Sequence, residues 1–157
     1  MISNINSKVH GLEKGLNFLS SKYKRNYKGM IHDEVRDSFI KNLESIKEGL
    51  EFVEKELRVV GGTIDIVAKN KNNEEFCFIE VKTGLSRYYT KSNKENAKQL
   101  LKQKEGLEHT VSIFTNKKVN IKLILVEYMR DTKKVVVTSF NDSGKIENTK
   151  EFILKDD

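Results

Sequence analysis

Residues 61–84 read GGTIDIVAKNKNNEEFCFIEVKTG and decide the fold. The segments TIDIVAK and FCFIEVKT are apolar and rich in β-branched and aromatic residues, and the polar turn between them is typical of a β-hairpin. If the turn is centred on Asn72 and Asn73, the numbers of paired residues sum to 145, so Asp65 lies opposite Glu80. The side chains of such a pair start about 4.5 to 5.5 Å apart.

Charged residues interrupt both of these apolar strands. Asp65 interrupts the run from Ile64 to Val67, and Glu80 and Lys82 interrupt the end of the second strand. Strand alternation places Glu80 and Lys82 on one face, about 6.5 to 7 Å apart along the strand. Charged groups in an apolar strand must reach an edge or a polar cavity. The pattern therefore predicts an acid pair with a lysine at the strand ends, and a surface ion pair on an edge strand is the alternative.

Two carboxylates at this spacing favour a divalent cation. They repel each other unless one is protonated or a metal lies between them. Oxygen ligands without nearby histidine or cysteine favour Mg²⁺ or Mn²⁺ over zinc, and Lys82 beside them would hold a water or neutralise charge on a phosphate. The single cysteine, Cys77, excludes disulfides within the chain. The three histidines show no ligand spacing and are expected to be surface or hydrogen-bonded residues.

The elements around the hairpin predict an α/β (α+β) domain with a helix packed across a sheet. Apolar residues at helical spacing predict one helix at about Ser7–Lys24 and another at about His32–Glu48. A capping box, Ser92 to Glu95, opens a third helix that ends at Gly106. The further strands are expected to be LEFVEKELRVV, VNIKLILVEYM and KKVVVTSF. The end from Asn141 onward is polar and predicts no element.

Length and composition place limits on the class of protein. With 157 residues the chain is the size of one domain, and the simplest division is a basic helical arm at 1–30 followed by a domain at 31–157. The 37% hydrophobic and 33% charged residues are typical of a soluble globular protein. No apolar run approaches the roughly 20 residues of a membrane helix, and no export signal is evident, so a cytoplasmic protein without membrane contact is expected.

The distribution of charge favours a polyanionic partner. Residues 1–30 contribute +5 of the formal net charge of +6, and residues 84–104 form a second basic segment. Basic segments that flank an acidic centre suit nucleic acid, although solvated lysines on an ordinary basic protein are the alternative. The residues expected to contact phosphates are Lys24, Arg25, Arg87, Lys94, Lys98 and Lys102.

From 31 to 107 the chain resembles the PD-(D/E)xK nuclease superfamily, and most nearly the nuclease domain of NucS-like endonucleases. The resemblance implies a restriction-endonuclease-like mixed sheet flanked by helices. It also implies magnesium-dependent hydrolysis of DNA in repair, recombination or mobile-element processing. Its metal ligands would be Asp65, Glu80 and the Val81 carbonyl, and Lys82 would be its catalytic lysine. Glu34 matches an acid that such proteins often place on the helix before the sheet, and Gln99 matches a glutamine on the next helix, near the DNA or the metal site. Some relatives have a tyrosine where this chain has Gln103.

Other functions remain open at this point. A Holliday-junction resolvase or a restriction-type endonuclease would use the same core, and a homodimer would favour these, because symmetric cutting of two strands usually requires one. A non-catalytic nucleic-acid-binding or regulatory protein that keeps a nuclease fold belongs to a different class. The presence of all three charged residues, Asp65, Glu80 and Lys82, argues against the last of these.

Overall fold

Six strands form one sheet in the computed structural model, which describes residues 2–22, 32–59, 62–73, 75–84, 98, 101–106, 108 and 120–155. The helices are α1 (Ile2–Lys22), α2 (His32–Lys41) and α3 (residues 101–106). The strands are β1 (Leu50–Val59), β2 (Gly62–Asn70), β3 (Phe76–Gly84), β4 (Ile121–Met129), β5 (Lys134–Phe140) and β6 (Ile146–Ile153). They lie side by side in chain order, and β3 and β4 are parallel while the other neighbours are antiparallel. A parallel pair needs a crossover connection, and α3 belongs to it.

This mixed sheet with its flanking helices confirms the predicted α/β (α+β) class. One face of the sheet, called the α2 face here, buries Ile66, Ile79 and Val126 in one cluster with residues of α1 and α2. The opposite face, called the α3 face, buries Phe78 and Leu125 in a second cluster, against which Leu101 of α3 packs. The strands β2 to β4 are therefore covered on both sides.

Helix α1 is part of the core of the α2 face. Its leucines Leu12, Leu16 and Leu19 are buried in the same cluster as residues of α2. Gly11 permits the close approach of α1 to the residue after α2, because a Cβ at this position would clash with the Asn42 side chain. The division of the chain near residue 30 stays a prediction. Neither α1 nor any other described helix is both long and apolar enough to cross a membrane.

Helix α2 ends earlier than predicted, at Lys41 instead of near Glu48. The Asn42 side chain donates to the Ser38 carbonyl at 2.8 Å, and residues Leu43–Ser45 form a tighter 3-10 turn. The apolar spacing continues through this turn because side chains three residues apart remain on one side of it. The periodicity was therefore correct about burial and wrong about the length of the α-helix.

Strand β6 was not predicted. It pairs antiparallel with β5, and most of its side chains are exposed. Asn141 Oδ1 organises the preceding turn by accepting hydrogen bonds from the backbone N–H groups of Ser143 and Lys145, and Gly144 supplies a φ of 81°. A polar edge strand lacks the apolar alternation that identifies a strand, so the turn residues were the only local signal.

Candidate active site

Strands β2 and β3 separate toward the end of β3. Their pairing includes Ile66 with Ile79, and the paired numbers sum to 145 as predicted. Among the residues described here, the pairing does not continue past these two. Strand β2 stays paired with β1 as far as Gly62, and β3 with β4 as far as Gly84. A notch therefore opens between β2 and β3, and it is lined by Asp65, Glu80 and Lys82.

The Asp65 carboxylate bridges the notch. Its Oδ2 accepts a hydrogen bond from the Val81 backbone N–H at 2.8 Å. The side chain thus satisfies a backbone N–H that lies beyond the last pair of the β2–β3 ladder. Burial raises the pKa of Asp65, but the hydrogen bonds from His32 and from the Val81 N–H outweigh it and hold the pKa below its ordinary value. Asp65 is therefore ionised and fixed in orientation at neutral pH.

Glu80 is the most deeply buried acid of the notch. Its side chain is 6% exposed, and Oε1 lies 3.3 Å from Lys82 Nζ. In the part of the chain that the structure describes, Glu80 Oε2 is buried without a hydrogen-bond partner. Burial, followed by the charge of Asp65, raises the pKa of Glu80 to about 7, although Lys82 opposes this. Ionisation of both Asp65 and Glu80 is therefore unfavourable unless a cation lies between the two carboxylates.

His32 is a site residue that the sequence reasoning missed. Its Nε2 lies 2.8 Å from the Val81 carbonyl oxygen and 3.4 Å from Asp65 Oδ2. A carbonyl oxygen only accepts, so Nε2 carries a proton in this arrangement. The hydrogen bond to Asp65 raises the pKa of His32 to about 9 against the opposing effect of burial. His32 is hydrogen-bonded, as expected, but its partners are atoms of the site, and only its position two residues before Glu34 hinted at this.

The structure describes three of the other predicted site residues. Glu34 lies half-buried in the first turn of α2. Lys98 and Lys102 are exposed. The two lysines are therefore open to a ligand, and the roles of all three residues stay predictions. The remaining predicted residues, Gln99, Lys24, Arg25, Arg87 and Lys94, lie outside the described residues.

Gln103, the departure from the tyrosine of some relatives, is buried. Its Nε2 donates to the Thr63 carbonyl at 3.0 Å, and the side chain is 0% exposed. The position of Gly62 beside it is tight, because a Cβ there would lie 2.9 Å from Gln103 Nε2. Gln103 thus anchors α3 to the start of β2 at the notch.

The donors of the notch fit a magnesium-type cation better than zinc, because His32, although it lies in the notch, is a protonated hydrogen-bond donor and leaves only oxygen atoms as ligands. In the described ranges no three side chains of His, Cys, Asp or Glu come together as a metal-binding group. The protein donors would be Asp65, Glu80 and the Val81 carbonyl, and Mg²⁺ commonly keeps several waters beside a few such oxygens. The buried Glu80 Oε2 without a partner is the observation that favours this fit.

The mixed sheet with its flanking helices is a nuclease-like fold. Residues 42–129, more than half of the chain, match Uncharacterised protein family UPF0102, and the chain belongs to this PD-(D/E)xK-like family. The matched residues include Asp65, Glu80 and Lys82. The resemblance found in the sequence is thereby confirmed. No curated protein sequence matches the chain.

Two solved structures are similar to parts of the chain. A repair endonuclease from Pyrococcus abyssi matches with 18% identity and a TM-score of 0.39, over 59% of this chain and 35% of its own. The protein SfsA from Pyrococcus furiosus, solved in complex with Ca²⁺, matches with 14% identity and a TM-score of 0.32. That match covers 61% of this chain and 57% of SfsA. This chain thus spans about a third to just over half of the length of these proteins.

Proposed function

We propose that the chain is a magnesium-dependent deoxyribonuclease that hydrolyses DNA phosphodiester bonds at the notch between β2 and β3. The observation that carries this proposal is the buried Glu80 Oε2, which has no hydrogen-bond donor among the described residues and belongs to a carboxyl whose pKa is raised by burial and by the charge of Asp65. An unsatisfied buried carboxylate oxygen is unfavourable. A divalent cation satisfies it and removes the repulsion between the two acids.

The residues of the notch have separate roles in this proposal. Asp65, Glu80 and the Val81 carbonyl would hold the cation, which supplies charge to polarise a phosphoryl oxygen and to make a bound water more acidic. Asp65 is already ionised and oriented by the Val81 N–H. Lys82 is 41% exposed and its ammonium lies beside Glu80, so it can meet a phosphate and neutralise developing charge.

DNA is the proposed substrate because exposed lysines lie on the same side of the sheet as Glu80 and Lys82. Glu80 and Lys82 alternate with Val81, whose side chain belongs to the α2 face, so both acid and lysine belong to the α3 face. Helix α3 packs on that same face, and Lys102 is exposed on it. A duplex laid against α3 would bring a phosphate toward Lys82. Products with a 5′-phosphate and a 3′-hydroxyl are expected, and the setting would be repair, recombination or mobile-element processing.

The test is cleavage of labelled single-stranded, duplex, flapped, mismatched and four-way DNA with Mg²⁺, with Mn²⁺ or with EDTA. We expect cleavage with either metal and none with EDTA. Glu80→Gln should abolish it, while the matched control Glu51→Gln, at an exposed position of β1, should leave it unchanged. Intact DNA throughout, with metal-independent binding, would instead support a nucleic-acid-binding protein that keeps a nuclease fold.

A further inference from the structure

Glu56 has a left-handed backbone within β1, with φ at 53°. A residue with a Cβ is strained in this region, and such residues persist where their surroundings hold them, often at functional sites. The β1–β2 register pairs Lys55 with Ile66 and Leu57 with Ile64, so Glu56 and Asp65 occupy the intervening positions of the two strands. The strained residue therefore lies directly across from an acid of the notch.

The alternation of side chains in β2 breaks at Asp65. Ile64 is buried in the cluster of the α3 face, whereas Ile66 is buried in the cluster of the α2 face. In a regular strand, residues two apart point to the same side. The chain must therefore turn about its own axis between Ile64 and Ile66, and Asp65 is the residue at which it turns. Local irregularities of this kind re-aim side chains near active sites.

The same break occurs in β1 at Glu56. Lys55 Nζ lies 3.4 Å from Asp37 of α2, while Leu57 packs against the cluster of the α3 face. Glu56 itself reaches α2, where its Oε1 accepts a hydrogen bond from Arg36 Nη1 at 2.6 Å. The consecutive residues Lys55 and Glu56 thus both contact α2, which the left-handed backbone at Glu56 makes feasible.

Arg36 is suited to hold this conformation. Its side chain is only 4% exposed and also contacts Asp33 and Asp37, so its guanidinium is fixed on α2. His32, which contacts Asp65, lies one turn earlier on the same helix. Helix α2 therefore contacts both opposed residues, Glu56 of β1 through Arg36 and Asp65 of β2 through His32.

We propose that Glu56, held by Arg36, is a positioning residue. Its left-handed backbone rotates the paired strands β1 and β2 about their axes at this point, and this rotation directs the Asp65 carboxylate into the notch. This inference rests on the proposed function for its consequence, which is the geometry of the metal site, but the positioning itself is a property of the metal-free protein. Its direct signature is the hydrogen bond from the Val81 N–H to Asp65.

The test compares Glu56→Ala with Glu56→Gly. Both changes remove the carboxylate and its contact with Arg36, but only glycine adopts a positive φ without strain. We expect Glu56→Ala to weaken Mn²⁺ binding, measured by calorimetry, about tenfold, and Glu56→Gly to stay within about threefold of wild type. In EDTA, hydrogen exchange of the Val81 amide should accelerate in the alanine variant and not in the glycine variant. A general loss of strand stability would accelerate exchange of the Ala68 amide of β2 as well, whereas a loss of positioning accelerates the Val81 amide alone.

Equal behaviour of the two variants, whether both match wild type or both are impaired, would overturn the proposal. If wild type cuts no DNA while the alanine–glycine contrast persists in the Val81 exchange, the nuclease proposal fails and the positioning role is supported. Unfolding curves of all three proteins identify any variant that does not fold. In that event Arg36→Met, alone and combined with Glu56→Gly, provides the same contrast: glycine should restore the Val81 protection that Arg36→Met removes, and absence of restoration would overturn the proposal.

Discussion

Glu80 should make the metal-free protein less stable as the pH rises. Its carboxyl has a pKa of about 7 in the folded chain against an ordinary value of 4.5. Below pH 4.5 the group is protonated in both the folded and the unfolded chain, so it has no effect on stability. Between 4.5 and about 7 the unfolded chain releases the proton while the folded chain keeps it, and stability falls through this window. Glu80→Gln removes the titration.

The size of the effect follows from the burial of the side chain. A rise from 4.5 to about 7, at 1.36 kcal/mol for each pKa unit, corresponds to a destabilisation of about 3 kcal/mol above pH 7. Glutamine also loses the contact with Lys82, but that lysine is 41% exposed, so the loss should stay below about 1 kcal/mol. At pH 8 the variant should therefore unfold about 5–10 °C higher than wild type.

The assay is thermal unfolding of both proteins in EDTA at pH 5 and pH 8. The melting temperatures should be similar at pH 5 and separate at pH 8 in favour of the variant, and added Mn²⁺ should then raise the melting temperature of wild type more than that of the variant. His32 contributes in the same direction. Its stabilisation is complete below its ordinary pKa of 6.5 and is lost as the pH rises from there through about 9, but both proteins share this contribution. A difference between the two proteins that is the same at both pH values would refute the reasoning.

Two further predictions concern the exposed lysines and α1. Lys98→Gln with Lys102→Gln should reduce the salt dependence of duplex binding in EDTA by up to about two phosphate contacts, with little change in melting temperature, and parallel slopes would show that these exposed lysines only meet solvent. Deletion of residues 1–28 should unfold the protein or lower its melting temperature by well over 10 °C, because the buried Leu12, Leu16 and Leu19 each contribute about 2–5 kcal/mol. A truncated chain with unchanged stability would mean that α1 is dispensable to the core.

The central hairpin could be predicted because its information is local. The polar turn fixes the register, and the register together with alternation places Asp65 near Glu80 and Glu80 with Lys82. The separation of β2 from β3 could not be predicted, because it depends on how each strand pairs with its other neighbour. The sequence thus identified the acids and the lysine of the notch but gave no indication of the opening between the strands.

The residues that were missed act through tertiary contacts. His32 lies far from the hairpin in sequence and reaches Asp65 only because α2 packs on the sheet. Gln103 and Lys104 are buried polar residues, which an analysis of apolar periodicity assigns to the surface. The left-handed backbone of Glu56 has no signal at all, since glycine or asparagine is the usual residue there.

The most direct test of the proposed nuclease is single-turnover cleavage of the best DNA substrate by wild type, Asp65→Ala, Glu80→Ala and Lys82→Ala in Mg²⁺. We predict that each change abolishes cleavage while the unfolding curves show folded proteins. Lys82→Ala should in addition bind Mn²⁺ within about threefold of wild type, because Lys82 provides no ligand. A Glu80→Ala protein that cleaves DNA at the wild-type rate would contradict the proposal that this notch is the active site.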